Sequence, residues 1–239
     1  RRGRKHEHEG DITFSGYARD SYVIKASCPR FGSGEDSVRC ITNISLFVPY
    51  AKSGNFKDAE QFWRISYTEC PASTKDLYLY GVRILTWKID NEKDAAKKAE
   101  LVNELMEVYD KRVKYFGNDR KYGKDWIVGN KAEDYVKYAG ENLDIDKLYG
   151  WLKEVIDEKG EGCEVKAISY YMFASLKKMQ ADPNFKDQYI QDYLKCSAIV
   201  ESQIKAATAA NNEKQLKTLD AYRANIESGF ANSGAADCE

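Results

Sequence analysis

Histidine is nearly absent from this 239-residue chain. The only two are His6 and His8, both in the opening stretch Arg-Arg-Gly-Arg-Lys-His-Glu-His-Glu-Gly. That stretch has no apolar side chain to bury and cannot offset its ordering entropy, so residues 1–10 are expected to be a disordered tail. His6-Glu7-His8 could take up a metal ion, but the plainer reading is a mobile tail with no metal. A Ser-His-Asp or Cys-His centre needs an imidazole held by packing, and the rest of the chain supplies none. The expectation is therefore no catalytic residues, no cofactor and no enzyme. Proline (4) and glycine (16) are too scarce for a many-turned β-sandwich or for low complexity. No apolar run approaches the roughly 20 residues of a membrane-spanning helix, and the opening residues carry no apolar stretch of a secretory signal. Nor is one sign of charge in excess: 37 Lys and Arg face 38 Asp and Glu, which gives no reason to expect nucleic acid. There is no Cys-x-x-Cys, which argues against a zinc ribbon or a thioredoxin site.

Residues 11–39 are β-prone (Ile12, Phe14, Tyr17, Tyr22, Val23, Ile24) but are broken by Gly16, Pro29, Gly32 and Gly34, and are expected to form an irregular extension. From residue 40 onward the apolar spacing becomes helical. Ile41, Ile44, Phe47 and Val48 form one stripe, ending at Ser53-Gly54-Asn55. Phe56, Ala59, Phe62 and Trp63 form the next, ending at Cys70-Pro71. Further helices are expected from Leu77, from the run beginning at Ala99 to 116, and from about 125 to 139, 144 to 158, 168 to 181, 185 to 209 and 212 to 230. Helices joined by such short breaks must lie antiparallel and bury their stripes on one another. The expected fold is all-α, about four helical hairpins plus a C-terminal helix.

The spacing also has a longer period. With Pro71 at position 32 of a 34-residue unit, Tyr50, Gly54, Ala59 and Trp63 fall at positions 11, 15, 20 and 24. These are the places where a tetratricopeptide repeat (TPR) needs a bulky residue, a turn glycine, a small residue and an aromatic. Tyr50, Ala59 and Trp63 should meet at one helix–helix seam. The next unit puts Leu77, Tyr80, Gly81 and Ile84 in the same register. Val128-Gly129 and Ile168-Ser169 look like the equivalent pairs of later units. Their spacings, 48 from Gly81 to Gly129 and 40 from Gly129 to Ser169, exceed a regular repeat. A TPR-like α-solenoid over residues 40–239 is expected.

Gly54-Asn55-Phe56-Lys57-Asp58-Ala59, Trp63, Cys70-Pro71, Lys75 and Gly81 resemble a group of TPR cell-envelope proteins of Bacteroidota. So do Leu105-Met106, Tyr109-Asp110, Arg112, Lys114-Tyr115-Phe116-Gly117 and the ending Ser233-Gly234-Ala235-Ala236-Asp237-Cys238. The resemblance covers residues 40–239 and implies an exported, mostly uncharacterised adaptor in the periplasm or at the outer membrane. It implies no catalytic residues. The resembling proteins continue into further helices, so a fragment or processed form is expected, and the extension at 11–39 departs from their pattern.

Cys40 opens the first helix and Cys70 closes the second, so an antiparallel pair brings them together. A Cys40–Cys70 disulfide is favoured, with two buried free thiols as the alternative and Cys28 as the competing partner for Cys40. Cys163 and Cys196 are offset along their hairpin and are not expected to pair. A bridge would place the protein in an oxidising compartment.

Gly117-Asn-Asp-Arg-Lys-Tyr-Gly123-Lys124-Asp125 superficially resembles a P-loop but has one residue too many between its glycines, and Asp125 stands where Ser or Thr is needed. It is read as an inter-repeat loop with Asp125 as a helix N-cap. Asp90, Glu92 and Asp94 fail as a calcium loop because Ala95 and Leu101 occupy the Gly and Glu places. Projecting the repeat register, Lys75, Tyr78, Trp126, Asn130 and Tyr170 would face a peptide-binding groove, although each alone could be packing or solvated surface. Two functions follow: a scaffold binding a protein or extended peptide, or a glycan-binding protein using surface aromatics. Exposed coplanar rings would favour glycan; recessed aromatics among mixed charges would favour peptide.

Overall fold

The computed structural model describes residues 29–236. The expected tail, residues 11–28 of the extension, Cys28 and Cys238 lie outside them. Nine α-helices follow a 3-10 turn at Pro29–Phe31, and there is no strand among the described residues. They are α1 (Gly34–Lys52), α2 (Phe56–Glu69), α3 (Asp76–Asn91), α4 (Ala95–Phe116), α5 (Lys124–Tyr138), α6 (Ile145–Lys159), α7 (Val165–Ala181), α8 (Lys186–Ala209) and α9 (Glu213–Ala231).

Their starts are chemical. Asn55, Asp94, Asp144 and Asn212 each accept a hydrogen bond from the backbone N–H three residues on, at Asp58 (3.4 Å), Lys97 (2.9 Å), Lys147 (3.0 Å) and Gln215 (3.1 Å). Each satisfies one of the donors that a helix leaves open at its first turn. The α1–α2 turn needs Gly54, whose φ of +79° few other residues adopt, and the Asn55 N–H closes it on the Tyr50 carbonyl at 2.9 Å. Two starts differ from expectation. Helix α1 begins at Gly34, inside the segment expected to be irregular, because Ser37, Cys40 and Ile44 turn inward and Glu35 and Asp36 face the helix dipole. Asp125 does not cap α5. It lies in that helix's first turn, and its carboxylate accepts the Glu164 N–H at 2.8 Å, tying α5 to the start of α7.

Each helix packs on the next in sequence, and α1 on α3, α5 on α7 and α7 on α9 also pack directly. Helices α1 and α3 thus lie side by side, as do α5, α7 and α9 in turn. Helices α3 and α5 form no comparable packed pair, and the 22-residue α4 spans that step. This accounts for the long spacing from Gly81 to Gly129.

At the α2–α3 seam Trp63 is fully buried, and its indole N–H donates to the Leu77 carbonyl at 2.7 Å. A Cβ on Gly81 would stand 2.7 Å from the same ring, so only a glycine lets the helices approach this closely. Ala59 is fully buried as well, but Tyr50 does not join this seam. It remains 38% exposed and lies beside Phe62 at 6.4 Å between ring centroids. Cys40 and Cys70 form the expected disulfide across the first hairpin, with Cα atoms 6.1 Å apart. Cys163 and Cys196 are free and buried, and burial pushes both thiols up to about 12.

Candidate functional site

Lys75 precedes the first turn of α3 with its side chain exposed, and its ammonium reaches Asp119 at 2.6 Å. Asp119 lies in the α4–α5 loop. Its second oxygen accepts the backbone N–H groups of Lys121 (2.9 Å) and Tyr122 (2.7 Å), which folds the loop around the carboxylate. The Lys75 hydrogen bond, then these two, hold the Asp119 carboxyl down at about 2. The turn presents Tyr122 to the Lys75 ammonium, 6.0 Å from its ring, and edge-on to Trp126, 4.9 Å between centroids.

One turn along α5, the Asn130 amide donates to the Trp126 carbonyl at 2.8 Å. Its oxygen accepts from Lys166 of α7 at 3.0 Å, and the same ammonium donates to Glu133 at 2.7 Å. Tyr170, one turn beyond Lys166, is half-buried beside Phe173. Burial first, and then the Glu133 charge, push its hydroxyl up. Lys75, Trp126, Asn130 and Tyr170 thus lie along one row crossing α3, α5 and α7, with Asp119, Tyr122, Lys166 and Glu133 between them.

Tyr78 is a correction. It is fully buried, its hydroxyl donates to the Pro71 carbonyl at 2.8 Å, and its ring meets Tyr67 and Phe116 edge-on. On α3 the outward positions are Leu79, Arg83 and Trp87, spaced by four from Lys75, whereas Tyr78 turns inward with Leu77, Gly81 and Leu85. The projected register was off by one residue.

Arg112 of α4 lies against Trp126 in the row. It is 7% exposed, and its guanidinium carbon sits 4.9 Å from the centre of the Trp126 ring. Its place in the stripe Leu105, Tyr109, Arg112, Phe116 is one that normally carries an apolar residue, which is a signal legible in the sequence. Burial pulls its pKa down, yet an arginine stays protonated in proteins. Among the described residues only Ser73 Oγ and Arg112 Nε are buried side-chain polar atoms without a hydrogen-bond partner. Ser73 lies two residues before Lys75, at the same end of the row.

Elsewhere the charges neutralise each other. A cleft of about 230 Å³ between α4, α5 and α6 is lined by Asp110, Lys124, Lys131, Trp151 and Glu154. There Lys131 is bound to Asp110 at 2.6 Å and lies 3.4 Å over the Trp151 ring, while Lys124 reaches Glu154 and Glu158 at 2.7 and 2.6 Å. Between α6, α7 and α8, Asp192 (3% exposed) accepts from Tyr171 (2.8 Å), Ser175 (2.6 Å), Tyr149 (2.9 Å) and Gln188 (2.8 Å). Such a saturated carboxylate belongs to the core. No helix among the described residues is long and apolar enough to cross a membrane. No family model, curated protein or solved structure matches the chain.

Proposed function

We propose that this chain is a non-enzymatic scaffold of the tetratricopeptide type that binds an extended peptide segment of another cell-envelope protein along the face of its odd-numbered helices. The observation that carries the reading is the row from Lys75 through Tyr122, Trp126 and Asn130 to Lys166, Glu133 and Tyr170. It alternates charge with recessed aromatics across three helices, a surface suited to an extended chain with side chains of mixed character. Export to the periplasm or outer membrane is supported by the Cys40–Cys70 disulfide, since such bonds persist in oxidising compartments. The resemblance to Bacteroidota envelope proteins agrees with it.

One observation favours a second reading, glycan capture. Tyr50 and Phe62 lie within 8° of parallel with Tyr50 exposed, an arrangement on which a sugar ring could stack. The test is a photo-crosslinking residue at Leu79 in the native envelope, followed by mass spectrometry. The expected result is a crosslinked protein partner that is lost when Asn130 and Tyr170 are both replaced by alanine. Retention on a glycan array with no protein recovered would transfer the function to the Tyr50–Phe62 surface.

A further inference from the structure

A buried cation without a counter-ion is an unstable arrangement unless something completes it, because the lost hydration is not replaced. Arg112 is in that position. No carboxylate or carbonyl among the described residues accepts from its buried Nε–H, and the guanidinium carbon lies 4.9 Å from the centre of the Trp126 ring, a contact that leaves this donor unused. The nearest compensating charge, Asp119, is already committed, with one oxygen on Lys75 and the other on two backbone N–H groups. The surrounding segment deepens the imbalance. In the same segment Lys114, Arg120 and Lys121 form no ion pair among the described residues, whereas Lys124 is held by Glu154 and Glu158. A solvated helix end would account for the exposed members of this set, since cations are favoured near a helix C-terminus. It does not account for Arg112, which is buried and lies more than a full turn short of the end of α4 at Phe116.

We infer that Arg112 is the anion subsite of the peptide-binding row, taking a carboxylate of an acidic, extended peptide behind Trp126 while Lys75 and Lys121 hold its flanking acidic side chains. This rests on the scaffold reading above and adds the chemistry of the partner to it. The planar guanidinium offers two parallel donors that match a carboxylate, which a point charge such as an ammonium does not. Stacking on Trp126 fixes its plane in advance, so little side-chain freedom remains to be lost on binding.

The test uses the full chain and two peptides, octaglutamate and octaglutamine. Eight extended residues span roughly 26 Å, longer than one helix–helix spacing of about 10 Å. The expected result is that octaglutamate binds with an affinity that falls steeply with added salt, shifts the Arg112 Nε–H resonance in a side-chain NMR spectrum, and binds Arg112→Gln at least about tenfold more weakly. Arg112→Lys should recover only part of the loss. The NMR shift on the unmodified protein stands even where Arg112→Gln fails to fold. If octaglutamine binds equally well and the Arg112 resonance stays still, the anion subsite is overturned and the scaffold reading survives. An equal Arg112 shift with inorganic phosphate or acetate at matched concentration would reduce the site to an adventitious ion only and overturn the peptide assignment. If neither peptide binds and no protein crosslinks at Leu79, both readings fall.

Discussion

The ring of Trp63 occupies the space where a Cβ on Gly81 would stand, 2.7 Å from its nearest carbon. Trp63 cannot easily yield, being fully buried and tied through Nε1 to the Leu77 carbonyl. Gly81→Ala should therefore destabilise the protein. Overpacking costs about 1–3 kcal/mol, against a gain of roughly 1 kcal/mol in helix propensity. In a Trp63→Leu background the clash is relieved and the same substitution should become stabilising. Urea denaturation of the four variants measures this, and an unchanged sign between backgrounds would refute the steric account.

The Cys40–Cys70 bond closes a loop with a sequence separation of 30. On the chain-entropy model its removal should lower stability by about 3–4 kcal/mol. Comparing the denaturation midpoint of Cys40→Ser/Cys70→Ser with that of the unmodified protein tests it. A reductant should abolish the difference, and equal midpoints without reductant would refute the loop-closure stabilisation.

Asp192 gathers four donors between α6, α7 and α8. Asp192→Ala should leave the Ser175 hydroxyl without its acceptor, at roughly 1–3 kcal/mol for an unsatisfied group, while the Tyr171 hydroxyl keeps the Tyr149 hydroxyl at 3.0 Å. Asp192→Asn keeps one carbonyl oxygen and should lose less. Equal stability of the two variants, read by thermal melting, would show that the donors find other partners.

The depressed carboxyl of Asp119 makes the α4–α5 loop acid-sensitive. Because its folded pKa of about 2 lies below the ordinary aspartate value of 3.8, its contribution to stability is whole above pH 3.8 and disappears as the pH falls towards 2. Lys75→Met should move the Asp119 midpoint upward toward 3.8 without reaching it, because the Lys121 and Tyr122 N–H groups remain. A ¹³C-detected titration of the carboxyl resolves this. A midpoint that does not move would remove Lys75 as its main partner.

Much of the architecture is written locally. Asn55, Asp94, Asp144 and Asn212 mark helix starts through their own side chains, and Gly54 marks a turn through its backbone. Hairpin geometry favoured Cys40–Cys70 over free thiols or a Cys28 partner, and the bridge forms. What resisted reading depends on rotation about a helix axis. Tyr78 and Leu79 are both apolar neighbours on α3, and only packing against Tyr67 and Phe116 decides which turns inward. Tyr50 was expected beside Trp63 but lies two-fifths exposed against Phe62, since the Gly81 approach, not a bulky residue on α1, fills the space around the indole. Trp126, Asn130 and Tyr170, projected to face a groove, are half-buried, with Trp126 and Tyr170 packed against the core; the ions beside Asn130, Lys166 and Glu133, were hidden among many similar surface charges.

Where α3 and α5 form no comparable packed pair, the stack has a joint, and α4 with the loop after it is the crosspiece. Lys75 stands on one side of that joint, Trp126 on the other, and Arg112 on the crosspiece itself. An occupant touching all three would lock the two halves at a set angle, so capturing a partner and stiffening the array become a single act.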